Sequence, residues 1–260
     1  MIPFTKAHAC GNDFLVVTEQ DAAGQNWTEV ARRLCARTTG IGADGVEFFA
    51  WTGERSGRIR LHNADGSIAE ISGNGTRCVA AWMAHQLRCQ PGDLLEIQTD
   101  AGPRLCQINS LSDSGGFTVE VTTGMGVPQF KPRTVVIHGG LPVVGVEISM
   151  GNPHFVIVVD NADFTVAGTD WQAIGAEICV HADFPEQTNV EFVRVVSSRR
   201  VLTNWPGQSR RFSLAKVALS LRVPVVASIW LSMTASRPVA RTLVLSRATA
   251  STVYSVPSGF

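Results

Sequence analysis

Apolar and polar residues alternate along the chain with two different periods, and the change of period locates the elements. Ile59 and Leu61 alternate with Arg58, Arg60 and His62, which predicts a half-buried strand. The run Asn63-Ala64-Asp65-Gly66 that follows is turn chemistry. From Gly75 the period lengthens: Val79, Trp82, Met83 and Leu87 recur at helical spacing. A helix over 75–87 with its apolar face in a core is expected. An earlier helix opens at Trp27-Thr28-Glu29, with Thr28 as its expected N-cap and Val30 and Leu34 one turn apart. Stretches near 117–122, 133–138, 143–149, 154–159 and 189–196 are rich in Val, Ile and Phe and read as strands. Ser110 to Gly116, SLSDSGG, is the expected linker. The pattern predicts two domains of mixed strands, the first built around the helix after Gly75.

Composition narrows the class. Hydrophobic residues make up 45% and charged residues 17% of 260 positions, as in globular proteins. The N-terminus has no apolar stretch of signal-peptide length. The longest apolar run, Val223 to Met233, is shorter than the about 20 residues a membrane span requires. The six cysteines show no metal-ligand spacing, and a reduced, cytoplasmic protein is expected. A formal net charge of zero gives no global sign of nucleic-acid binding. That zero conceals a break. The first 200 residues carry 15 Lys and Arg against 22 Asp and Glu, a net −7; the last sixty carry 7 Lys and Arg and no acid. This tail has too many aliphatic residues for a solvated basic arm.

The candidate chemistry lies in polar stretches between the strands: GNDF at 11–14, GADG at 42–45, NADG at 63–66, SGNGTRC at 72–78, SMGNPHF at 149–155 and TNVEF at 188–192. Asn beside Gly is ordinary turn chemistry in any one of them. Their recurrence suits a zwitterionic ligand, because a carboxamide both donates and accepts. The Gly-Asn-Gly at a helix start would leave backbone N–H groups free to hold an anion. Ser72 precedes those glycines, and reads either as a reactive group or as a plain N-cap.

In this order the motifs resemble the diaminopimelate epimerase family, from about residue 4 to residue 196. The resemblance implies an α/β (α+β) fold of two pseudo-symmetric domains, each with strands wrapped around a central helix. It implies two cysteines, one at each helix start, exchanging the substrate's α-proton on opposite faces, with no cofactor and no metal. Carried over, it marks Asn12, Asn63, Gly73, Asn74, Asn152 and Asn189 as substrate-binding positions. His154 would order its loop. The position of the first catalytic cysteine is Ser72, whose hydroxyl is a far weaker acid than a thiol. Cys78, six residues on, is turned about 240° around the helix.

The second half of the signature is missing. After Val196 the resemblance requires a second Gly-rich helix start, and SSRRVLTNWPGQSRRFSLAKVALSLRVPVVASIWL stands there instead. The second catalytic residue is therefore absent from the expected pattern. A reading-frame shift near residues 197–200 accounts for both the lost motif and the acid-free tail. Codons for Ser220 to Ala227, read from their third bases, can encode Ser-Ser-Gly-Thr-Gly-Ser-Cys. The expected organisation is an epimerase-like domain over 1–113, a partial second one over 114–200, and an aberrant basic tail over 201–260. The family's last strand can return to the first domain, so an altered tail is expected to leave an edge there unpaired. The implied function is interconversion of LL- and meso-diaminopimelate in lysine biosynthesis, with this chain expected to be inactive. Another cofactor-independent amino-acid isomerase or racemase of the same fold, or a non-catalytic amino-acid binder, remains open. The expected partner is a small amino acid, with no nucleic acid and no membrane; a homodimer is compatible with the family.

Overall fold

The computed structural model describes residues 2–113, 116–126, 129–149, 153–197, 200–204 and 245–255. They fall into two compact units: Met1–Met125 with Leu245–Phe260, and Gly126–Val244.

The first unit begins with a hairpin, β1 (Thr5–Ala9) and β2 (Asn12–Thr18). Its two-residue turn places Cys10 and Gly11 at φ 56° and 86°, the doubly left-handed geometry that suits strand twist. Helix α1 (Trp27–Cys35) then crosses to β3 (Gly45–Gly53), which lies parallel to β2. The cap of α1 is Asn26 rather than Thr28: its side chain accepts from Glu29 N at 3.2 Å. Asn outranks Thr slightly at this position, and Thr28 is already inside the helix.

Strand β4 (Ser56–Asn63) pairs antiparallel with β3 and meets the two-residue β5 (Ile68–Ala69) across the expected turn. Next comes α2 (Gly73–Leu87), two residues longer than its apolar period indicates, because Ser72 caps it. The remaining strands of the unit are β6 (Leu94–Thr99), β7 (Gly102–Ser112) and β8 (Thr118–Gly124). Of Ser110–Gly116, expected as an interdomain linker, Ser110 to Ser112 instead end β7, which pairs antiparallel with β8, so the unit runs on to Met125 rather than stopping at 113. Gly and Ser serve a hairpin as well as a linker.

The sheet closes on itself. Its order is β3-β2-β1-β14-β8-β7-β6-β4, and β4 pairs again with β3. The strand that completes it is β14 (Leu245–Ser255), antiparallel to both β1 and β8. The expected unpaired edge is thus filled by the tail itself. A ladder needs only an extended backbone, and LSRATASTVYS, with Thr, Val and Tyr, supplies one. Of the tail assigned to 201–260, residues 205–244 and 256–260 lie outside the described residues.

Helix α2 runs through the closed sheet, which explains why Gly75 to Ala84 are all buried. Val79, Trp82 and Met83 join Phe14, Ile59, Leu61, Leu95, Ile97 and Val121 in one core. The Trp82 ring packs against Phe49 at 4.7 Å and Trp51 at 5.7 Å. Outside the sheet, α1 covers a second core of Leu15, Val17, Val46 and Phe48.

The second unit is a sheet of order β13-β12-β11-β10-β9 among the described residues, made of β9 (Gln129–Ile137), β10 (Leu141–Ser149), β11 (Pro153–Val159), β12 (Asn189–Ser197) and β13 (Arg200–Asn204). Helix α3 (Trp171–Cys179), capped by Asp170, crosses from β11 to the parallel β12 and buries Ile174 and Ile178. Among the described residues no helix is long and apolar enough to cross a membrane, and no cluster of His, Cys, Asp or Glu could hold a metal ion.

Candidate functional site

The polar motifs of the first unit converge at the N-terminus of α2. The hairpin turn sets Asn12 at the start of β2. Its carboxamide donates to Asp44 Oδ2 at 2.6 Å and accepts from Asn74 Nδ2 at 3.3 Å. Asn74 in turn accepts from the Arg77 guanidinium. Backbone bonds join the turns as well: Asp44 N donates to Asp13 O at 2.8 Å, and Ala64 N to Asp44 O at 3.0 Å. Asn12, Asn63, Gly73 and Asn74 therefore belong to one assembly, although Asn63 bonds within its own turn, to Ser67 Oγ at 3.0 Å.

A charged cluster holds this assembly from behind. Arg37 bonds Asp13 at 2.7 Å and Asp44 at 2.6 Å, and Lys6 lies 3.1 Å from Asp13. Burial opposes the charge on Asp13, but the hydrogen bonds from Arg37 and Lys6 outweigh it and hold its pKa at about 2. Arg77 is nearly fully buried in the first turns of α2, and burial pulls its pKa below the ordinary range; it bonds Cys10 as well as Asn74.

Ser72 is the N-cap of α2. Its hydroxyl accepts from Gly75 N at 3.1 Å, and its carbonyl accepts from Thr76 N and from Thr76 Oγ1, both at 2.8 Å. No acidic residue occupies the first turn, so the positive end of the helix is not neutralised by its own sequence. Gly73 lies close to two side chains: a Cβ there would stand 3.3 Å from Met125 Cε and 3.4 Å from Arg77 Nη1. Cys78 faces the interior, fully buried, and burial pushes its thiol pKa up, which removes it as a source of thiolate.

In the second unit, Asn189 and His154 face each other across the parallel β11–β12 pair. Asn189 donates to Pro153 O at 3.2 Å. His154 Nδ1 meets Glu191 Oε1 at 2.6 Å; burial works against the imidazolium, but Glu191 raises its pKa above the ordinary value. Asn152 lies outside the described residues.

Sequence reasoning did not single out Asp44, Arg37 or Arg77, whose roles depend on contacts between distant loops. It also passed over Glu47, fully buried in β3. The signal was present: one acid between Val46 and Phe48 in an otherwise apolar run.

Strands closed around a helix, with an Asn-lined helix start, define the class. The fold is shared with solved structures of low sequence identity. A probable proline racemase from Agrobacterium radiobacter K84 superposes with a TM-score of 0.62 at 11% identity, covering 97% of this chain and 89% of that one. A hydroxyproline epimerase from Agrobacterium vitis gives 0.55 at 16% identity, over 78% of this chain and 69% of that one. Sequence then fixes the family. The diaminopimelate epimerase profile matches residues 4–131. Diaminopimelate epimerases from Heliobacterium modesticaldum and Methanothermobacter thermautotrophicus are 34% and 36% identical; the alignments cover 76% and 79% of this chain and 74% and 75% of theirs. The chain belongs to the diaminopimelate epimerase family.

Proposed function

We propose that this chain binds a diaminopimelate-type amino acid but does not invert it by the two-thiol route. The observation that carries the reading is Ser72 at the N-terminus of α2, where the family resemblance places its first catalytic cysteine. Free N–H groups of α2 would receive the substrate carboxylate. Asn12, Asn63, Gly73 and Asn74 would contact that substrate at the helix start, and Asn152 and Asn189 are the further substrate positions that the family resemblance marks. A hydroxyl titrates far above a thiol, so Ser72 offers almost no anionic base at neutral pH. The second catalytic position has no match in the sequence after Val196. All six cysteines are free, which suits a cytoplasmic setting and the lysine-biosynthetic role that the family name carries.

The tail supports a related proposal, a frame shift near residues 197–200, because acids stop there together with the family motifs. The coding sequence over codons 195–205 tests it directly. An intact frame in independent isolates would reject it.

For the function itself, the full chain is titrated with LL-diaminopimelate by calorimetry, and the product mixture is resolved by chiral chromatography. Binding without formation of the meso isomer is expected. Turnover to meso-diaminopimelate would overturn the absence of inversion, and absence of binding would overturn the site.

A further inference from the structure

The residues of β3 alternate between two cores: Val46 and Phe48 face α1, while Phe49 faces α2. Glu47 shares the side of Phe49. Its partners on the neighbouring strands are Val16 and Leu61, both in the α2 core. An aliphatic residue would suit this position. Instead a carboxyl stands there with 0% of its surface exposed, and neither oxygen has a hydrogen-bond partner among the described residues. Burying such a group without a partner is costly.

The carboxyl is aimed at the first turn of α2. A Cβ built on Gly75 would stand 1.9 Å from Glu47 Oε1 and 3.0 Å from its Cδ, so only glycine leaves it room. The same point lies 3.3 Å from Ser72 Cβ. The sum of 1.9 and 3.3 Å bounds the separation of Glu47 Oε1 and Ser72 Cβ at 5.2 Å, a span that one water can bridge. Gly75 also joins the two groups through its backbone, because its N–H donates to Ser72 Oγ at 3.1 Å.

We propose that Glu47 is the proton-holding group behind Ser72, and that the pair exchanges the α-proton of a bound amino acid with solvent on one face. The proposal rests on the amino-acid site described above. Glu47 acts through Ser72 and is a positioning residue. Burial, with Asp100 adding its negative charge, raises the Glu47 pKa to about 8, close to the roughly 8.5 of an ordinary thiol. Cys78 on α2, whose thiol feels the Glu47 charge, stays protonated chiefly through its own burial. The carboxyl therefore gains and loses its proton over the range in which a thiol would.

The step balances. The α-proton passes to Ser72 Oγ while the Ser72 hydroxyl proton passes, through at most one water, to the Glu47 carboxylate. The electron pair of the broken C–H bond moves into the substrate carboxylate, which the N–H groups of α2 hold as charge builds. The reverse step returns a proton to the same face, so configuration is retained.

The full chain is incubated with LL-diaminopimelate in deuterated water from pH 6 to 9.5. Deuterium at Cα is read by mass spectrometry, configuration by chiral chromatography and binding by calorimetry on the same samples. Exchange with retention is expected, rising with pH and levelling above about 8, the raised Glu47 value. E47Q and S72A should each slow it at least about tenfold, and E47Q should remove its pH dependence. E47D, which keeps an acid, should exchange at an intermediate rate with a shifted pH midpoint, and it decides the matter should E47Q not fold. Binding without exchange, wild-type exchange in E47Q, or an unshifted midpoint in E47D would overturn this inference alone. Absence of binding would overturn the underlying site as well.

Discussion

At the scale of the residue, two carboxyls with opposite surroundings control how this protein responds to pH. Glu47 is raised from 4.5 to about 8, chiefly by burial. A raised pKa means that the folded state holds a proton which the unfolded chain releases. Stability attributable to Glu47 is therefore complete below about pH 4.5 and declines as pH rises towards 8. E47L should flatten that decline and exceed the wild type at pH 9 by about 2–5 kcal/mol in denaturant unfolding. A wild type that is as stable at pH 9 as at pH 5 would show the carboxyl to be paired. Asp13 is the reverse case, held at about 2 against its burial by Arg37 and Lys6. Its contribution is present above about pH 4 and is lost as pH falls through 2. In R37A the Asp13 titration should move up to or beyond the ordinary 3.8, read from its carboxyl carbon by NMR. An unmoved midpoint would assign the effect to Lys6 and Asp44 instead.

At the scale of the element, β14 and α2 depend on each other. β14 sits between β1 and β8 and packs on α2. Its removal would leave both neighbouring strands with open edges and expose part of the helix. A chain ending before Leu245 should unfold at lower denaturant and associate at concentrations where the full chain does not. Amide exchange at Ala7 and Val119, which pair with β14, should rise well above that at Leu15 and Ile97, which do not. Equal protection at all four would mean that the sheet closes without the strand. The ends of α2 were only partly readable. Its apolar period begins after Gly75, but the helix begins at Gly73, because capping by a Ser side chain leaves no mark in a hydrophobic pattern.

At the scale of the whole molecule, inversion needs an acid and a base on opposite faces of the α-carbon, whereas binding needs only the polar shell. S72C should therefore gain a thiol with a depressed pKa at the α2 N-terminus, detectable as rapid alkylation at pH 7, yet produce no meso isomer from LL-diaminopimelate. Inversion by S72C would show that a second acid exists outside the residues matched so far. The division into units has the same character. SLSDSGG reads as a linker by composition, and only the pairing of β7 with β8 shows that it joins two neighbouring strands of one unit.

The sequence by itself determined the period of each element, the Asn-Gly motifs and their order, Ser72 at the helix start and the loss of acids after residue 200. These are local properties, written in neighbouring side chains. Only the tertiary structure decided that β14 closes the first sheet, that Arg37 ties Asp13 to Asp44, and that Glu47 lies under Gly75 beside Ser72. Each of those joins residues far apart in the chain, and nothing in a local pattern records which distant residue folding will bring within hydrogen-bonding reach.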